Sequence, residues 1–147
     1  MKILTALLLL ALPATVLAQD AGFQPDGDWL FRTDARQDGR PVCTETWTFG
    51  EGGQMTVHSG QEVVEKQYRI ETDRDGTWIV TKTLSSNGKP DCMGDVSVPA
   101  PPVERRTYVV PMNGGVVLTC PAPTRTPDGT PYISGCYGRI TPMDQVG

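Results

Sequence analysis

Runs of four to ten residues rich in Val, Thr, Ile, Trp and Tyr, each ended by a glycine or proline turn, leave this chain little but short strands to form. Nine such runs follow one another: Asp28–Thr33, Val42–Phe49, Gln54–Ser59, Val63–Thr72, Thr77–Leu84, Gly94–Val98, Arg105–Met112, Val116–Cys120 and Tyr132–Ile140. The separators, among them "GEGG", "DRDG", "SSNGKP", "PAPPVE" and "PAPTRTPDGTP", draw on 16 glycines and 13 prolines. No window of eleven or more residues keeps a helical period of apolar positions. Consecutive short strands with tight turns pair as an antiparallel meander. The expected fold is therefore all-β: a small antiparallel, mostly up-and-down β-barrel of about eight strands, favoured over an open sandwich because tight turns disfavour Greek-key crossovers.

The N-terminus departs from this pattern. Lys2 is followed by an apolar run, Ile3 to Leu12, too short to span a bilayer, then by Pro13 and by Val16-Leu17-Ala18 at a cleavage-like position. Residues 1–18 read as a removed signal peptide, 19–26 as a flexible lead-in and 27–147 as one barrel domain. The expected location is periplasmic or extracellular, after cleavage near Ala18. No cysteine follows the apolar run to carry a lipid, and no second apolar stretch predicts stable membrane insertion.

Four cysteines, an even number in an exported chain, read as two disulfides. They are too widely spaced for a zinc site, and His58 is the single histidine, so neither metal nor cofactor is expected. A small repeat, "DGRPVC" and "NGKPDC", marks two strand starts of one kind, since proline lacks the N–H that would join a ladder. It favours Cys43–Cys92, which leaves Cys120–Cys136 to close the long loop between them. Four cysteines permit three pairings, and the repeat alone does not decide among them.

A formal net charge of −4 and a single close basic pair, Arg105-Arg106, argue against nucleic acid as a partner. Catalytic residues are not expected either. Ser59 follows His58 directly, and neighbours on a strand point to opposite faces. There is no Gly-x-Ser-x-Gly elbow, and no glycine cluster leads into a helix that would hold a phosphate.

The stretch from Val63 to Leu84 allows a register to be predicted. If Val64, Tyr68 and Ile70 share a core face with Trp78, Val80 and Leu84, a three-residue loop Arg74-Asp75-Gly76 pairs Ile70 with Val80. That register puts Lys66 and Lys82 on the apolar face with Tyr68, Trp78 and Val80. One strand earlier, Glu45 falls between Cys43 and Trp47. Two accounts of these residues stand: they line a cavity, or the charges sit near strand ends and snorkel to water.

Gly27-Asp28-Trp29, at the head of these strands, resembles the Gly-x-Trp first strand of the lipocalin and lipocalin-like β-barrels. The resemblance implies that Trp29 plugs a closed end beside Gly27, with Arg139 of "CYGRI" lying over it. It also implies a cavity at the other end for a small hydrophobic ligand. The periplasmic metalloprotease-inhibitor barrels are similar in the same early Gly-x-Trp. By that likeness Gln19–Pro25 would be an arm inserted into a protease. A third alternative is an envelope-associated interaction module that uses exposed strand edges.

Overall fold

The computed structural model describes residues 22–98 and 101–146. The expected signal peptide and the start of the lead-in lie outside the described residues. Eight strands make a closed antiparallel barrel: β1 (Gly27–Thr33), β2 (Thr44–Phe49), β3 (Gln54–Ser59), β4 (Glu62–Asp73), β5 (Gly76–Ser86), β6 (Glu104–Pro111), β7 (Val117–Cys120) and β8 (Gly138–Pro142). Each strand pairs with its neighbours in sequence, and β8 returns to β1 with Phe31 opposite Ile140. The meander expected from the turn spacing is thus complete, and closure leaves no barrel strand with an unpaired edge.

The two ends differ. At one, β2–β3, β4–β5 and β6–β7 are joined by short turns. At the other, the β3–β4 turn lies among three long connections, 34–43, 87–103 and 121–137. Disulfides staple that second end. Cys43–Cys92 ties the first long connection to the second with Cα atoms 5.4 Å apart, and Cys120–Cys136 closes the third at 4.0 Å. This is the pairing favoured by the Pro-x-Cys repeat. Two-residue ribbons, Arg36–Gln37 with Arg40–Pro41 and Thr124–Arg125 with Pro131–Tyr132, stiffen the first and third connections.

Several expectations need correction. Gly94–Val98 is not a strand; it makes one isolated bridge, Pro90 to Val96, inside a turn organised by the Asp91 carboxylate, which accepts the N–H groups of Met93 and Asp95. The run Tyr132–Ile140 is split by the loop carrying Cys136, so only its last part joins the barrel. The β4–β5 turn also differs. Its connection is Arg74-Asp75, with Asp73 opposite Gly76, Ile70 opposite Ile79 and Arg69 opposite Val80. Asp73 Oδ1 accepts the N–H groups of both Asp75 and Gly76, at 2.9 and 3.2 Å, and holds this tighter turn.

That change of one residue turns β5 over. Ile79 enters the core, while Trp78, Val80 and Lys82 face outward. Trp78 and Val80 are still only 5% and 1% exposed. The Arg106 guanidinium lies 4.3 Å from the centre of the Trp78 ring, and Tyr108 meets the ring edge-on at 5.0 Å. Arg69 pairs with Glu104 at 2.6 Å, and Arg106 with Glu71 and Asp73 at 3.2 and 3.1 Å. These bridges run between β4 and β6 across the outer face of β5, so the aliphatic stems of the arginines cover what the core does not.

Candidate functional site

Alternation along the paired strands defines the inner surface. Its apolar part contains Trp29, Phe31, Phe49, Met55, Val57, Val64, Ile79, Val109, Val117 and Ile140, packed as one cluster. Trp47, Tyr68 and Ile70 join it from the side. Trp47 stacks on Phe31 at 5.0 Å and 8°, and Phe49 meets Tyr68 edge-on at 5.0 Å. The β1 glycine, Gly27, has φ 68°, which glycine adopts without strain.

Trp29 stands at the short-turn end, opposite Trp47 on β2 and Pro142 on β8. Its indole N–H donates to the Asp26 carbonyl at 3.0 Å, and Phe23 packs edge-on against it at 5.7 Å. The Tyr68 hydroxyl reaches the Pro25 carbonyl at 3.5 Å. Burial, with Asp26 adding to it, pushes this phenol's pKa up. The described part of the lead-in therefore caps this end, with Pro25 buried and Phe23 half-buried. Arg139 does not take the role implied for it. It faces outward on β8, opposite Arg32, and pairs with Asp34 at 2.8 Å. Phe23 and Phe49 pack edge-on against Trp29 instead, at 5.7 and 6.3 Å.

Toward the stapled end the inner surface becomes polar. Glu45, Ser59, Glu62 and Lys66 succeed one another on β2, β3 and β4, and Thr81, Thr83, Arg105 and Thr107 face them from β5 and β6. Glu45 is held by two donors: the Trp47 indole N–H at 2.6 Å and the Ser59 hydroxyl at 3.0 Å. Ser59 also accepts the N–H of Cys92 at 3.2 Å, which fixes the stapled connection to the mouth. Glu62 is buried and accepts from the Ser86 hydroxyl at 2.7 Å. Lys66 belongs to none of the ion pairs among the described residues. Desolvation by burial lowers its pKa below 10.5; Glu45 and Glu62 oppose that shift and Arg105 adds to it. Deeper on β7, the Thr119 hydroxyl is fully buried without a hydrogen-bond partner among the described residues.

Of the expected cavity lining, Glu45, Trp47, Lys66 and Tyr68 do meet on the inner surface. Trp78, Val80 and Lys82 do not, because the register of β5 sends them outside. Arg105 is the addition. Its place could have been found by counting back in steps of two from Val109, but Tyr108 and Val110 give the opposite face an equal claim.

Two surface depressions lie elsewhere. One of about 240 Å³ is on the outer wall between Gln67, Arg69, Lys82 and Glu104. One of about 540 Å³ is at the short-turn end, beside Asp26, Asp28 and Asp144. Cys43 and Cys92 lie close to the Glu45 carboxylate, but their sulfurs are bonded to each other and offer no thiolate to a metal. Two disulfides are the kind of cross-link that persists in an oxidising compartment. No helix among the described residues is long and apolar enough to cross a membrane. Comparison with known protein families, with curated proteins and with solved structures found no match for this chain.

Proposed function

We propose that this protein is an exported, non-catalytic binding protein of lipocalin-like build, which takes a small ligand at the disulfide-stapled mouth of its barrel. The observation that carries the reading is the contrast between the two ends of one interior. Aromatic and aliphatic side chains fill the end that Phe23 and Trp29 close. The inner surface at the mouth carries the buried Ser59 and Glu62 and the half-buried Glu45 and Lys66, where folding alone calls for apolar side chains, with the exposed Arg105 at its rim. A few convergent polar groups beside an aromatic floor, at the opening of a barrel, are features that ligand sites share.

Native mass spectrometry of the mature protein, purified gently from its own producer, tests this reading. A bound mass removable by organic solvent is the expected result; a bare chain under several mild conditions counts against it.

A second reading, the protease-inhibitor type, is favoured by the filled apolar half, since an inhibitor needs no cavity. It requires Gln19–Pro25 to act as an arm, whereas Phe23 and Pro25 are packed against the barrel end. Protease inhibition that disappears when Gln19–Pro25 is trimmed would favour this second reading over ligand binding.

A further inference from the structure

We propose that the barrel mouth is a carboxylate site, in which the Lys66 ammonium, with the Arg105 guanidinium beside it, holds the carboxylate of a small organic acid. This rests on the reading of the mouth as the ligand site and names the chemistry of the ligand.

Lys66 leaves β4 on the inner surface, between Val64 and Tyr68, opposite Met55 on β3 and Thr83 on β5. An ammonium withdrawn from water costs free energy unless an opposite charge or a set of acceptors compensates it. The carboxylates that face it, Glu45 from β2 and Glu62 from its own strand, are held by other donors: Trp47 and Ser59 for the first, Ser86 for the second. Arg105, exposed at the rim on β6, is the other cation facing Lys66 and enters none of the ion pairs among the described residues. Among the described residues, the arginine–carboxylate bridges between side chains of the strands β4 and β6 lie on the outer face, formed by Arg69 and Arg106. The inner face thus presents two cations without ion-pair partners, with Thr81, Thr83 and Thr107 around them as hydroxyl donors.

The chemistry narrows the ligand further. A carboxylate accepts from ammonium, guanidinium and hydroxyl together, through short charge-assisted bonds. It brings one negative charge. A phosphate dianion would bring a second one toward Glu45 and Glu62, whose repulsion grows in a partly dry mouth. A long apolar tail has no place to go, because Trp47, Phe31 and Phe49 occupy the space below. A short-chain monocarboxylate fits these constraints.

The test is a titration of the oxidised, mature protein, with side-chain lysine resonances as the readout and propionate and inorganic phosphate as probes. The expected result is a saturable shift of the Lys66 Nζ and Cε signals with propionate. Phosphate should bind at least about ten-fold more weakly, a difference of about 1.4 kcal/mol. Lys66→Met should abolish the propionate response seen at neighbouring Thr81 and Thr83, and the outward Lys82→Met should leave it intact. Lys66 signals indifferent to propionate, a response that survives in Lys66→Met, or one equally strong with phosphate would each overturn the assignment. If Lys66→Met fails to fold, the wild-type titration decides alone. A ligand mass in the native spectrum beside an indifferent Lys66 sinks the carboxylate site and leaves the binding reading standing. A bare chain with an indifferent Lys66 sinks both.

Discussion

Asp73 is a surface carboxylate with an unusually low affinity for its proton. The Trp78 indole N–H lies beside it without forming a hydrogen bond of normal geometry. That neighbour and the Asp75 N–H, then Arg106 and the Gly76 N–H, hold its pKa at about 2 against an ordinary 3.8. Because the folded pKa is the lower one, its contribution to stability is present above pH 3.8 and is lost as the pH falls from there through about 2. Asp73→Asn should flatten that part of the acid unfolding profile; an unchanged profile would show that Asp73 is not the linked group. Lys66 has the opposite consequence. Its folded pKa is lowered, so the unfolded chain binds this proton more tightly, and stability should rise with pH between the lowered value and 10.5. Lys66→Met should remove that rise in urea midpoints measured across the alkaline range. Gly138 is a steric case: a Cβ there would stand 2.5 Å from the Phe31 ring and 2.8 Å from the Arg32 carbonyl oxygen. The ring can shift but the β1 backbone cannot, so Gly138→Ala should cost about 1–3 kcal/mol in urea unfolding.

At the scale of elements, β4 and β5 show when alternation can be read. On β4, Val64, Lys66, Tyr68 and Ile70 alternate with Glu65, Gln67, Arg69 and Glu71, so one face alone is apolar enough to be buried, and it is. On β5, Trp78, Ile79 and Val80 are consecutive, and both faces are apolar. The deciding interactions come from β6 and from the Asp73 turn, far from any local pattern. The pairing of β4 with β5 also slips at Glu65/Lys66, which leaves Leu84 without a partner residue and exposed. The disulfides belong to this scale too. Cys43–Cys92 closes a separation of 49 residues and Cys120–Cys136 one of 16. In the chain-entropy account, removing them by paired Cys→Ser replacement should cost about 4 and about 3 kcal/mol respectively. The first should also loosen the Cys92 end of the 87–98 connection, which Cys92 N–H to Ser59 and Gln61 N–H to the Pro90 carbonyl would then hold by hydrogen bonds alone, while Asn87 stays bonded to Val63 and Gln61. Chemical denaturation measures the costs, and amide exchange at Gln61 and Cys92 measures the release.

For the whole molecule, closure is the decisive event. β1 pairs with β8 across nearly the full described chain, Trp29 with Pro142 at one end of the ladder and Thr33 with Gly138 at the other. Such non-local pairing must overcome loop-closure entropy before it is rewarded, so folding should fall in the millisecond-to-second range typical of β-barrels. Removal of residues 138–147 would leave β1 and β7 with open edges and would uncover Phe31, whose partner across β8 is Ile140. The truncated chain should lose its cooperative thermal transition and associate in sedimentation; a monomer with a sharp transition would mean that the barrel does not depend on its last strand.

The sequence by itself determined the strand class, the order of the meander and the shared face of Lys66 and Tyr68 on β4, whereas the Pro-x-Cys repeat only favoured the disulfide pairing that the fold then decided. Turn residues and period-two alternation are local, so those features needed no knowledge of the rest of the chain. Only the tertiary structure decided which face of β5 is inside, that Arg139 binds Asp34 rather than covering Trp29, and that Arg105 joins Lys66 at the mouth. Each of these depends on partners distant in sequence. Where both faces of a strand are apolar enough to bury, the choice between them is made by what the neighbouring strands bring to each side.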